Sequence, residues 1–238
     1  MGENMIVYRR SEERGHADKG WLDSFHTFSF ADYKHPEHNG FRSLRVLNED
    51  RVAPGKGFGA HGHRDMEIIS YVISGKLGHK DSMGHEEVLG ANEIQVMSAG
   101  TGVVHSEFNA SKTEPVHFLQ IWIEPTNRSL ASNYQQLAFE GAEKLGAWRL
   151  LASPAGGPGV AQLQQDVSVS ITTLASGEAR PYTLRPGRHA WIQVVSGKVT
   201  LNGEPMNPGD AAAVSEEQMI TLHGSDEGPG EVMLLDLA

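Results

Sequence analysis

Turn signals return along this chain about every ten residues, and the apolar runs between them are short. Asp81 to Gly84 and the glycine-rich Ala155 to Gly159 punctuate runs such as Ile68 to Ser74, Val116 to Ile123, Val167 to Leu174 and Val232 to Leu237. That rhythm predicts an all-β sandwich or barrel. Met5 to Tyr8, Leu44 to Asn48, Val88 to Val96, Trp191 to Val195, Lys198 to Leu201 and Met219 to His223 read as further strands. Phe28 and Phe30 alternate with Thr27 and Ser29, the pattern of a half-buried strand. Asn133 to Gly146 is read as holding one short helical or irregular segment.

The 238 residues suit one or two domains. An internal echo favours two. Tyr71 to Leu77 (YVISGKL) resembles Gln193 to Val199 (QVVSGKV), an offset of 197 − 75 = 122 residues. The division is placed at residues 1–130 and 131–238. Carried by that offset, His61, His63 and Glu67 fall on Thr183, Arg185 and His189, so the second copy has lost the histidine pair.

Two histidines stand one residue apart at His61 and His63. On a strand they share a face, roughly 6–7 Å apart along the backbone, and can converge on one metal ion. His105 and Glu107 repeat the spacing. Neighbouring strands bearing these pairs would offer three imidazole nitrogens and one carboxylate. The chain has no cysteine, so a metal must be held by nitrogen and oxygen. Such donors suit Fe, Ni, Cu, Co, Mn or Zn and leave coordination positions open. Glu67 lies too far along the strand to join them and reads as an orienting or salt-bridging carboxylate. His26 reads as a core histidine, with Phe28, Phe30 and Met97. His79 and Asp81 read as turn-flanking, with support of the metal ligands from behind as the alternative, and His35, His38 and His85 as solvated. His117 is balanced between a structural and a functional reading. His189 and His223 have no partner at ligand spacing.

The net charge of −10 argues against direct nucleic-acid binding. No apolar run is long enough to span a bilayer, and the N-terminus lacks a signal-peptide pattern. Met5 could be the natural start behind a short leader. A cytoplasmic location is expected.

These residues resemble the two motifs of the cupin superfamily. Gly55, His61, His63, Glu67 and Gly75 match the first; Gly102, His105 and Asn109 match the second, with Gly100 where a proline is usual. Within cupins the chain resembles the pirin family. Arg14 to Ala17, Trp21 to Ser24, His61 to Glu67, His79 to Gly84, Met97 to Gly102 and His105 to Glu107 carry that likeness. It is strong over residues 5–125 and extends to general layout beyond. It is closest to the bacterial pirin-like quercetin 2,3-dioxygenases.

The resemblance implies a bicupin: two antiparallel β-barrels of jelly-roll type packed face to face, with one metal in the N-terminal barrel. It implies His61, His63, His105 and Glu107 as ligands, and iron as the cellular metal. The implied activity is cleavage of the central ring of a flavonol such as quercetin with O2. The substrate's 3-hydroxyl loses its proton, dioxygen adds across the ring, and carbon monoxide leaves a depside. Glu107, the only carboxylate of the set, is the candidate general base. An alternative is a metal-dependent co-regulator that binds a protein partner without turnover. A third is isomerisation or decarboxylation, which needs only a Lewis acid. A monomer is expected.

Overall fold

The computed structural model describes residues 5–238. The leader reading for residues 1–4 falls outside them. Strands dominate; the helical elements among the described residues are two 3-10 turns, Ser11–Glu13 and Gly141–Lys144. The stretch from 133 to 146 holds the short helical segment expected, the second of these turns, preceded by the strand Asn133–Ala138. The run expected as one strand from Val88 to Val96 is two, Glu86–Leu89 and Glu93–Ser98, with Asn92 at φ +62 in the turn between.

The chain forms two compact units, and no single cut separates them. The first unit is residues 15–139 with 155–165; the second is residues 5–14, 140–154 and 166–238. The placement at 130 therefore differs from the observed division. Strand pairing is the reason. Asn133–Ala138 completes a ladder with Glu93–Ser98, and Met5–Arg9 pairs with Ala211–Ser215 in the second unit. An edge strand's unpaired amides and carbonyls are satisfied by whatever segment reaches them, whatever its place in sequence. Residues 155–165 are tied likewise. Gln135 Nε2 donates to Gln162 O at 2.9 Å, and the Gln162 amide donates back to Gln135 Oε1 at 2.8 Å.

The first unit has two antiparallel sheets. One runs Asn133–Ala138, Glu93–Ser98, Glu67–Ser74, Val116–Ile123, Leu44–Val52, Leu22–His26, Gly15–Asp18 in spatial order. The other runs Gly57–His63, Val103–Asn109, Leu77–Asp81, Glu86–Leu89. Leu77 and Leu89 of the smaller sheet join Leu22, Val52, Val72, Val116 and Phe118 of the larger one in a single apolar cluster. The strands stay in separate sheets, so the unit is a jelly roll of two sheets, the cupin-type architecture expected.

Beside this apolar cluster the larger sheet carries a polar row. Gln136 lies opposite Gln95, Gln95 opposite Ser70, Ser70 opposite Gln120, Gln120 opposite Asn48, and Asn48 opposite His26. Gln95, Ser70, Gln120, Asn48 and His26 are buried. Buried amides and hydroxyls need partners, and this row becomes one wall of the site described below.

The second unit repeats the plan. Ala179–Thr183, Met219–Gly224, Val199–Leu201 and Glu204–Met206 form its smaller sheet. Its core joins Val199, Leu201, Ile220 and Leu222 of that sheet to Ile192, Val194 and Leu234 of the larger. The echoed glycines occupy the same turn. Gly75 and Gly197 have φ +83 and +65. An added Cβ would lie 2.4 Å from Pro115 O in one and 2.1 Å from Pro229 O in the other. Only glycine fits either position.

Candidate metal centre

Gly57–His63 and Val103–Asn109 are antiparallel neighbours, with His105 directly opposite His61 and Val103 opposite His63. Strand alternation sends His61, His63 and His105 to one face. Their ring centroids lie 4.5 to 4.8 Å apart. One nitrogen from each falls within 4.8 Å of the others, compact enough for metal–nitrogen bonds of about 2.0–2.1 Å.

Hydrogen bonding sets the nitrogens. His61 Nδ1 lies 2.8 Å from Gly59 O, and a carbonyl can only accept, so Nδ1 carries the proton and Nε2 presents a lone pair. That lone pair faces His105 Nε2 at 3.1 Å. Burial, reinforced by His61, lowers His63 to about 4. Burial, with His63 and His61, lowers His105 to about 3. Both rings are therefore neutral at pH 7, the state a metal requires.

A register shift interrupts the pairing between His105 and Glu107 and sets Glu107 opposite Phe58. Glu107 is 2% exposed. Ser70 Oγ donates to its Oε1 at 3.0 Å, and Gln120 Nε2 to its Oε2 at 2.7 Å. Burial pushes its carboxyl up to about 7, against the pull of those two donors. The polar row thus fixes the one carboxylate among the expected ligands.

His79 joins the site, contrary to the turn-flanking expectation. It is fully buried on Leu77–Asp81 and donates from Nε2 to Asp81 Oδ2 at 3.1 Å. Its Nδ1 is therefore bare, and it is buried with no hydrogen-bond partner among the described residues. His79, His105 and Glu107 form a second donor group within 4.8 Å. His105 Nδ1 is likewise orphaned. Bare, buried nitrogens beside a carboxylate are what a metal and its supporting shell use, so the residues fit a bound ion.

Other expectations resolve differently. Glu67 is buried and accepts from Ser98 Oγ at 2.8 Å and the Gln164 amide at 3.1 Å. It braces residues 155–165 and makes no salt bridge among the described residues. His85 is held by Asp81 at 2.9 Å and stacks on Tyr134. His117 pairs with Glu49 at 2.9 Å, a structural role. His26 is buried, but it lines the cavity. In the second unit the register places Pro181 and Thr183 where the first has His61 and His63. Thr221 and His223 stand for His105 and Glu107. The 122-residue offset had pointed two residues further along, but both alignments leave no ligand set.

His61, His63, His105 and Glu107 open onto a cavity of about 690 Å³, lined wholly by residues of the first unit. Trp21, Phe30, Phe58 and Trp122 give it aromatic walls, and Ser24, His26, Asn48 and Asp50 a polar corner.

The pirin family model matches residues 7–123, and a quercetinase C-terminal cupin domain model matches 150–237. A quercetin 2,3-dioxygenase of Escherichia coli is 44% identical over 233 residues, covering 98% of this chain and 99% of that protein. The chain belongs to the pirin family. A pirin-like protein of Caulobacter vibrioides is 36% identical over 98% of this chain and all of its own length. The crystal structure of the bacterial pirin YhhW from Escherichia coli in complex with nickel(II) superposes with a TM-score of 0.92. It is 43% identical and covers 98% of this chain and 99% of its own.

For this pirin, sequence reasoning found the i, i+2 pairs and missed Ser24, Asn48, Asp50, Ser70 and Gln120. A signal existed: Asn48 and Asp50 continue the alternation of Leu44 and Val46, placing polar residues on an inward face. His79 was hidden because a lone histidine two residues before a turn carries no spacing signature.

Proposed function

We propose that this pirin is a metal-dependent dioxygenase that cleaves the central ring of a flavonol with O2 and releases carbon monoxide. The observation that carries the reading is the opening of a three-histidine cluster and one buried carboxylate onto an aromatic-walled cavity of ligand size. Relatives named quercetin 2,3-dioxygenase, matching along nearly the whole chain, support it.

His61, His63, His105 and Glu107 would hold the metal. When bound, the metal supplies a Lewis-acid and redox centre for the flavonol and dioxygen. The residues do the rest. The Gly59 carbonyl fixes the His61 tautomer, and Ser70 and Gln120 fix the Glu107 carboxylate. Trp122 meets His63 edge-on with centroids 4.8 Å apart, shielding that side from water. Glu107 accepts the proton of the substrate's 3-hydroxyl, since it is the carboxylate of the donor set and lines the cavity. The deciding experiment assays quercetin with and without oxygen on protein of measured metal content, with trapping of the released gas. Oxygen-dependent loss of flavonol with one carbon monoxide per turnover is expected. A fully metallated protein that consumes no oxygen would overturn the reading and leave the co-regulator alternative.

A further inference from the structure

The cavity has a second polar wall that the proposed chemistry does not use. Leu22–His26 and Leu44–Val52 pair so that Ser24 faces Asp50 and His26 faces Asn48. All four side chains are buried and all line the cavity. Ser24 Oγ donates to Asp50 Oδ1, while Oδ2 takes no hydrogen bond from any described residue. Asn48 is 2% exposed, and its Oδ1 is buried without a partner. Asn48 and Asp50 stand two residues apart on one strand, so their acceptors project to the same face about 6–7 Å apart. A buried acceptor left unpaired costs about 1–3 kcal/mol. The buried Asn48 Oδ1, with Asp50 Oδ2 open beside it on the cavity wall, indicates a ligand that brings hydrogen-bond donors.

We propose that Asp50, Asn48 and Ser24 form a recognition subsite for a dihydroxyphenyl ring, receiving substrate hydroxyls remote from the one at the metal centre. Rings with two adjacent hydroxyls bring two donors for two acceptors; a monophenol leaves one unpaired. Ser24 occupies Asp50 Oδ1 and thereby aims Oδ2. Burial, with Glu107 adding to it, raises the Asp50 carboxyl to about 7, so Oδ2 is an ionised acceptor above that value, and the titrations below are run at about pH 8. The apolar walls at Trp21, Leu22 and Phe58 would hold the ring body.

The inference rests on the flavonol reading, and the two can fail separately. Three flavonols carrying none, one or two hydroxyls on the pendant ring are titrated anaerobically into the metallated protein by quenching of tryptophan fluorescence. Trp21 and Trp122 line the cavity and report occupancy. The wild type should bind the dihydroxy compound about 10- to 100-fold tighter than the unsubstituted one, the span of a hydrogen bond to a charged acceptor. Asp50→Asn, and independently Ser24→Ala and Asn48→Ala, should shrink that ratio to a few-fold. Equal binding of the three by the wild type, or an unchanged ratio in the folded variants, overturns the subsite. Aerobic turnover of the flavonol without pendant hydroxyls tests the dioxygenase reading alone. If it is consumed while binding shows no hydroxyl preference, only the subsite falls.

Discussion

His61 Nε2 and His105 Nε2 face each other at 3.1 Å, on residues directly opposite in the strand ladder. With its own proton on Nδ1, His61 can only accept or bind a metal at that point. His61→Ala and His105→Ala should each strip the metal yet leave the fold, because neither histidine is a member of the apolar clusters. Elemental analysis and circular dichroism check this. A variant that fails to fold would make the site structural.

Glu107 separates ligand from base. Glu107→Gln keeps the bond from Ser70 and loses the ability to take a proton. At saturating metal it should retain much of its ion and lose turnover on the order of 10²–10⁴-fold. Quercetin turnover near the wild-type rate in the metal-loaded variant would remove the base role.

Acidity also reports on Glu107. Its folded value of about 7 lies above the ordinary 4.5, so the fold binds a proton that the unfolded chain does not. Its contribution to stability is present below about 4.5 and is lost as the pH rises through 7. His63 and His105 work the other way. Their folded values near 4 and 3 lie below 6.5, so acidification below 6.5 removes stability. In metal-free protein, the stability difference between wild type and Glu107→Gln should grow as the pH falls from 7 toward 4.5. Urea unfolding at several pH values reads it, and a flat difference counts against a buried, protonated Glu107.

The second unit should bind no metal. Pro181, Thr183 and Thr221 offer no ligand set there, and His189 is engaged with Ser215 Oγ at 2.8 Å. One ion per chain is expected, and His189→Gln should leave metal content and turnover nearly unchanged. Two independently lost ions per chain would contradict this.

Gly197 and Gly177 share the same backbone need but differ in room. Their φ values are +65 and +69, yet a Cβ meets Pro229 O at 2.1 Å at the first and nothing within 4 Å at the second. Gly177→Ala should cost about 1 kcal/mol. Gly197→Ala should cost more, about 2–4 kcal/mol, through added displacement of backbone. Thermal unfolding measures both, and equal losses would mean the close contact relaxes freely.

By itself the sequence determined the β architecture, the repeat and the convergence of His61, His63 and His105. These follow from local rules: period-2 alternation, glycine at a left-handed turn, histidines two apart on one strand. Only the tertiary structure decided which segments belong to which unit, because the edge strands Met5–Arg9 and Asn133–Ala138 find partners by backbone hydrogen bonding across long stretches of chain. The same holds for the polar row Gln95, Ser70, Gln120, Asn48 and His26. Its members lie on five strands and become neighbours through lateral register, which no spacing along the chain records. Asp50, Ser24 and the buried His79 enter the site for that reason: their chemistry depends on what burial and the facing strand set against them.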